Sequence, residues 1–126
     1  MPANKTSILI VEDNPIAAQA ALRIFEMLGC QVEATDDGEK AVQLVKKNHY
    51  NGICMDIGLP TLSGSETCKA IREYEAINHL IPIPIIAVTA NNSPDEKQEY
   101  LNAGMQEAID KPLTKAKAEH FLTFCK

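Results

Sequence analysis

The chain has 126 residues, 45% of them hydrophobic and 23% charged, which is the balance of one globular domain and excludes a disordered segment. A net charge of −5 gives no electrostatic reason to bind nucleic acid phosphates or an anionic membrane surface. No apolar run approaches the roughly 20 residues a membrane-spanning helix needs, and the N-terminal MPANKTS lacks the apolar core of an export signal, so a cytoplasmic protein is expected.

Short β-branched runs alternate with segments of helical period, the pattern of a parallel sheet covered on both faces. Ile8-Leu9-Ile10-Val11 is apolar without alternation and ends at Glu12-Asp13. Asn14-Pro15 then opens a helix as cap and first-turn proline, with Ile16, Ala20, Ile24 and Leu28 recurring every four residues and Gly29 placed to stop it. A shorter strand around Val32-Glu33-Ala34 leads through Asp36-Asp37-Gly38 to a helix burying Ala41, Val42, Leu44 and Val45, with Lys46 and Lys47 suited to its C-terminus.

The third strand, Gly52-Ile53-Cys54-Met55, runs into Asp56, and a loop through Pro60 reaches Ser63 and Glu66 at capping-box spacing. The helix that follows extends to about Ala76, and its Arg72-Glu73-Tyr74-Glu75 segment is expected to be a solvated face. Pro82 and Pro84 delay the next strand to Ile85-Ile86-Ala87-Val88, which ends at Thr89. Ser93-Pro94-Asp95-Glu96 is another capped helix start, closed by Gly104. Ala108-Ile109 is the weakest strand, Lys111-Pro112 follows it, and Ala118, Phe121, Leu122 and Cys125 mark the stripe of a last helix.

The predicted fold is therefore α/β, a doubly wound five-stranded parallel sheet of flavodoxin-like order 2-1-3-4-5 with five helices, forming a single domain over residues 1–126. Glu12, Asp13, Asp56, Thr89 and Lys111 each fall within two residues of the carboxyl end of a strand. Ligands of open parallel sheets bind there, and with strands one and three adjacent the three carboxylates share one small pocket. Such a cluster calls for protons or a cation, and Mg²⁺ suits carboxylates that leave positions for water and phosphate oxygens. Carboxylate, cation, lysine and hydroxyl together describe phosphoryl transfer to a carboxylate nucleophile.

These residues resemble the receiver domains of two-component response regulators from Ile8 to Phe124: ILIVEDN is similar to the acidic pair after the first strand, MDIGLP to the phospho-acceptor loop, VTAN to the hydroxyl segment and DKP to the lysine-proline step. Met55-Asp56 and Gly104-Met105 look most like receivers of hybrid sensor kinases. The resemblance implies Asp56 as phospho-acceptor, Asp13 as direct Mg²⁺ ligand, Glu12 acting through a metal-bound water, and the Gly58 carbonyl as a further ligand. It also implies that Lys111 bridges Asp56 and the phosphoryl group, that Thr89 hydrogen-bonds the phosphoryl oxygen, and that the Lys111-Pro112 bond is cis.

The function implied is a phosphorelay switch that catalyses its own phosphorylation from a phosphohistidine on a histidine kinase or histidine phosphotransfer protein. Slow autodephosphorylation is expected, but not turnover of an external substrate. An alternative is a pseudo-receiver that binds partners without being phosphorylated. A phosphohydrolase of the haloacid-dehalogenase kind is disfavoured, because that chemistry needs a second aspartate where Gly58 stands. Cys30, Cys54, Cys68 and Cys125 lack metal-ligand spacing and read as buried free thiols, and His49, His79 and His120 as surface residues. Receivers commonly carry an aromatic residue three positions before the lysine; Ala108 stands there, so the response on the fifth strand is expected to be muted.

Overall fold

The computed structural model describes residues 5–59, 62–90 and 93–125. The loop step at Pro60, Asn91 of the VTAN motif and the first four residues lie outside the described residues.

Five strands, β1 (Ser7–Val11), β2 (Gln31–Thr35), β3 (Gly52–Asp56), β4 (Ile85–Thr89) and β5 (Glu107–Asp110), alternate with five helices, α1 (Pro15–Met27), α2 (Gly38–Lys47), α3 (Gly64–Ile77), α4 (Pro94–Asn102) and α5 (Lys115–Leu122). All strand pairs are parallel, and the order across the sheet is β2-β1-β3-β4-β5, as the alternation of strand and helix predicts. β1, β3 and β4 are almost wholly buried because helices cover both faces, which is why their sequences show no polar alternation.

Successive side chains divide between two cores. Leu9, Val11, Ile53, Met55, Ile85 and Ala87 join Ala41, Val45, Ile71 and Tyr100 on one face. Ile8, Ile10, Cys54, Ile86 and Val88 join Ala21, Phe25, Ala118 and Phe121 on the other. Each fully buried Leu, Ile or Phe contributes about 1.5–3 kcal/mol by leaving water, so these two layers are the main source of stability.

The capping signals act as their chemistry requires. The Asn14 side chain accepts from the Ile16 and Ala17 N–H groups, and Ser63 and Glu66 satisfy each other's backbone donors reciprocally. Gly29 and Gly104 adopt φ of 85° and 108° at helix ends, the left-handed conformation that glycine reaches without a Cβ clash. The expected free thiols are confirmed, all four buried.

Two expectations need correction. On α1 the seam against the sheet is formed by Ala21 and Phe25, whereas Ile16 is 82% exposed and Ala20 is exposed too. The four-residue spacing of Ile16, Ala20, Ile24 and Leu28 drifts around a helix of 3.6 residues per turn, so only its C-terminal half reaches the core edge. The Arg72–Glu75 segment is not a solvated face, since Glu75 is 2% exposed. Its carboxylate accepts from Arg72 Nη1 at 2.7 Å and from the Ile83 N–H at 2.7 Å. The Arg72 guanidinium also donates to the Gly104 and Ile83 carbonyls, tying α3 to the approaches of β4 and β5. Charge alone cannot reveal such pairing, because the partners are backbone groups distant in sequence.

Candidate phosphoryl-acceptor site

The parallel registers bring the strand ends to one edge of the sheet. Val11 lies opposite Met55, Asp56 opposite Val88, and Thr89 opposite Asp110. The residues just beyond them therefore form a row. Two backbone bonds extend the ladder past the strands, from the Glu12 N–H to the Thr35 carbonyl at 3.0 Å and from the Lys111 N–H to the Thr89 carbonyl at 2.9 Å. Glu12, Asp13, Asp56, Gly58, Thr89, Ala90 and Lys111 line the resulting open cleft, together with Asn14, Glu96 and Tyr100. All six residues expected from sequence are brought together there.

The carboxylates occupy different environments. Asp56 and Glu12 are buried, with 5% and 9% exposure, while Asp13 is exposed. Lys111 Nζ lies 2.9 Å from Asp56 Oδ1 and 3.9 Å from Glu12 Oε1. Burial pushes the Glu12 carboxyl up to about 7; the Asn14 N–H, donating at 3.2 Å, opposes this, and the Asp56 charge adds to it. Partial burial works to lower Lys111, but its hydrogen bond to Asp56 and the charges of Asp56, Glu12 and Asp13 hold it above its ordinary value. Lys111 is therefore a firm positive charge.

The donor set fits a hard divalent cation. One oxygen each from Glu12, Asp13 and Asp56 lies within 4.8 Å of the others, so the carboxylates that would hold Mg²⁺, directly or through water, are already gathered at one place. A Cβ added to Gly58 would meet open space, so the backbone there is accessible from the cleft. A Cβ at Gly64 would instead come within 2.7 Å of the Asp56 carbonyl oxygen, which shows how closely the start of α3 is seated under the acceptor loop. The Lys111-Pro112 bond is cis, as the resemblance implies.

Sequence reasoning missed Tyr100 and Glu96 as cleft residues. Tyr100 is 2% exposed, yet its hydroxyl reaches the cleft and donates to Glu96 Oε2 at 3.0 Å. Their four-residue spacing was legible as one helix face, but nothing in the sequence said that this face meets the strand ends.

A doubly wound sheet with an acidic pocket, a lysine and a hydroxyl at its carboxyl edge is the architecture of a phosphorylation switch. The chain belongs to the response regulator receiver domain family, whose pattern it matches over residues 8–122. It is 32% identical over 107 residues to the sensor histidine kinase GacS of Pseudomonas protegens, covering 85% of this chain and 12% of that protein. It is 34% identical over 114 residues to the aerobic respiration control sensor protein ArcB of Escherichia coli, covering 90% of this chain and 14% of that one. The chain thus spans a small part of the length of these curated sensor proteins.

Among solved structures, the receiver domain of a sensor histidine kinase from Pseudomonas aeruginosa, with a magnesium ion coordinated in its active site cleft, superposes with a TM-score of 0.83 at 31% identity, covering 97% of this chain and 98% of that one. The receiver domain of a Saccharomyces cerevisiae response regulator, crystallised with a histidine phosphotransfer signalling protein, gives a TM-score of 0.89 at 29% identity, covering 99% and 92%.

Proposed function

We propose that this receiver accepts a phosphoryl group on Asp56 from a phosphohistidine of a histidine kinase or histidine phosphotransfer protein, and so acts as a phosphorelay switch. The observation that carries this reading is the pairing of a buried aspartate with Lys111 at 2.9 Å in a cleft open to solvent. An Asp56 oxygen forms the new bond to phosphorus as the P–N bond breaks, and the electron pair and a proton end on the donor imidazole. Lys111 offsets charge on the transferring oxygens. Thr89 supplies a hydroxyl for a phosphoryl oxygen.

Mg²⁺ would be held by Asp13 and Asp56 with the Gly58 carbonyl, and by Glu12 through water. It would supply charge neutralisation between acceptor and phosphoryl oxygens. The four buried free thiols favour a reducing, cytoplasmic setting, and no described helix is long and apolar enough to cross a membrane. Residues 1–126 are read as a single receiver unit. A net charge of −5 argues against direct nucleic acid binding. The chemistry makes the domain a catalyst of its own phosphorylation and slow dephosphorylation.

Incubation with acetyl phosphate and Mg²⁺, followed by mass spectrometry, tests the reading. One added phosphoryl group is expected on the wild type and none on Asp56→Asn. An unmodified wild type that also takes nothing from a phosphorylated phosphotransfer protein would favour the pseudo-receiver alternative.

A further inference from the structure

Lys111 projects into the cleft from the short connection between Asp110, the last residue of β5, and Lys115, the first of α5. β5 is an edge strand, so only β4 can steady this connection from within the sheet, through the bond from the Lys111 N–H to the Thr89 carbonyl at 2.9 Å. A second hold comes from α5. Lys117 reaches back from that helix, and its Nζ donates to the Asp110 carbonyl at 2.9 Å and to the Pro112 carbonyl at 3.3 Å. One ammonium thus ties down the residues immediately before and after Lys111. The described residues that line the acceptor cleft do not include Lys117, so it meets neither the acceptor nor a phosphoryl group there.

The position of the Lys111 ammonium is what needs holding. It stands 2.9 Å from Asp56 Oδ1 and 3.9 Å from Glu12 Oε1, so a displacement of about 1 Å is enough to exchange or lose the contact with the acceptor, and misplacement on that scale is costly to catalysis. The Lys111 side chain is 37% exposed, so packing does not cage it. A flexible four-carbon stem is aimed only as well as its backbone origin is fixed. Lysine carries three donors and no acceptor, which suits a half-buried ammonium to two converging carbonyls, and hydrogen bonds from an ionised donor are about twice as strong as neutral ones.

We propose that Lys117 is a positioning residue for phosphoryl transfer: by holding the Asp110 and Pro112 carbonyls, it sets the point from which Lys111 reaches Asp56. This rests on the reading of Asp56 as the acceptor.

The test follows labelling of the full chain by acetyl phosphate and Mg²⁺, read by mass spectrometry, in the wild type and in single variants. Lys117→Met keeps much of the stem and loses the donors, and should slow labelling about tenfold, less than removal of Lys111 itself. Lys117→Arg can again donate to two carbonyls and should recover to within about threefold of the wild type. Lys115→Met removes an exposed charge from the same helix and should leave the rate unchanged. Mg²⁺ affinity, measured by calorimetric titration, should not weaken in Lys117→Met, because Glu12, Asp13 and Asp56 follow other strands; a general loosening of the fold would lower affinity and rate together. The Lys111 Cε resonance of isotopically labelled protein gives the direct readout, expected to move in Lys117→Met and to return in Lys117→Arg. If circular dichroism shows Lys117→Met unfolded, Lys117→Gln takes its place with the same expectations.

A rate within about twofold of the wild type after loss of the ammonium overturns the inference alone. So does an equal loss in Lys115→Met, a lack of recovery in Lys117→Arg, weakened Mg²⁺ binding, or a Lys111 resonance that stays in place. A wild type that takes no phosphoryl group from acetyl phosphate or from a phosphorylated phosphotransfer protein overturns the acceptor reading, and the inference with it.

Discussion

Lys111 is asymmetrically placed between two buried carboxylates, 2.9 Å from Asp56 and 3.9 Å from Glu12. The shorter contact selects Asp56 as the carboxylate whose charge the lysine shares, and the longer one keeps Glu12 within its field.

Replacing this lysine separates its two effects. Lys111→Met removes the charge while keeping much of the stem, and should slow labelling by acetyl phosphate about 10²-fold, the usual cost of losing one group aimed at transition-state charge. Lys111→Arg restores charge with a bulkier planar head and should recover only part of the rate. Labelling time courses by mass spectrometry give both rates. A Lys111→Met rate within a factor of about two of the wild type would remove the lysine from the transfer step.

Asp13 and Glu12 should differ as metal ligands, although they are adjacent in sequence. Asp13 is exposed, whereas the Glu12 carboxylate already accepts the Asn14 N–H and faces Lys111. Loss of an outer partner typically costs 10–100-fold in metal affinity, so Glu12→Ala is expected to weaken Mg²⁺ by roughly tenfold and Asp13→Ala by more. Calorimetric titration of both variants checks the order. Equal losses would place the two carboxylates in the same relation to the ion.

The Arg72–Glu75 pair makes a prediction about stability that is independent of the cleft. Glu75→Ala strands the Ile83 N–H and leaves a guanidinium at 19% side-chain exposure without its counter-charge. Breaking a buried pair from one side costs about 3–5 kcal/mol, and the partial exposure of Arg72 places the expected loss near the lower end. Glu75→Gln keeps an acceptor for Ile83 and should cost less. Urea unfolding followed by circular dichroism measures both. If Glu75→Ala and a surface control such as Glu73→Ala shift the midpoint equally, the network adds nothing.

These residues also mark how far the sequence can be read. Strand order and the convergence of Glu12, Asp13, Asp56, Thr89 and Lys111 were legible, because buried parallel strands have an unmistakable apolar pattern and polar residues at their ends stand out, whereas the cis Lys111-Pro112 step followed only from the resemblance to receivers. The roles of Arg72, Glu75 and Tyr100 were not legible. Arg72 and Glu75 meet the Gly104 and Ile83 carbonyls and the Ile83 N–H, and Tyr100 meets the cleft at the strand ends, only when α3 and α4 dock, and helical period does not specify what a polar side chain will meet. The exposed Ile16 marks the opposite failure: an apolar residue in register with a helical repeat can still point away from the core.

The buried thiols predict a loss of stability on the alkaline side. Burial raises Cys54 and Cys125 from an ordinary 9.0 to about 12 and Cys68 to about 11, with the nearby Glu12 and Asp56 charges adding at Cys54. Tyr50 moves the same way, to about 12, through burial and its hydrogen bond to Glu33. Each group is neutral in the folded chain over a range where the unfolded chain ionises. The unfolded state thus binds fewer protons there, so stability is fully present below about pH 9 and declines as pH rises toward 11 to 12. Urea midpoints should therefore fall between pH 8 and pH 10.5, and Cys54→Ala should lessen the fall while lowering stability at pH 8 through the small cavity it leaves. A native-state thiol assay adds a second check: Ellman's reagent should react slowly at pH 8 and promptly after urea is added. A flat midpoint across that pH range, or four thiols reacting at once in the native protein, would show that the thiols ionise alike in both states.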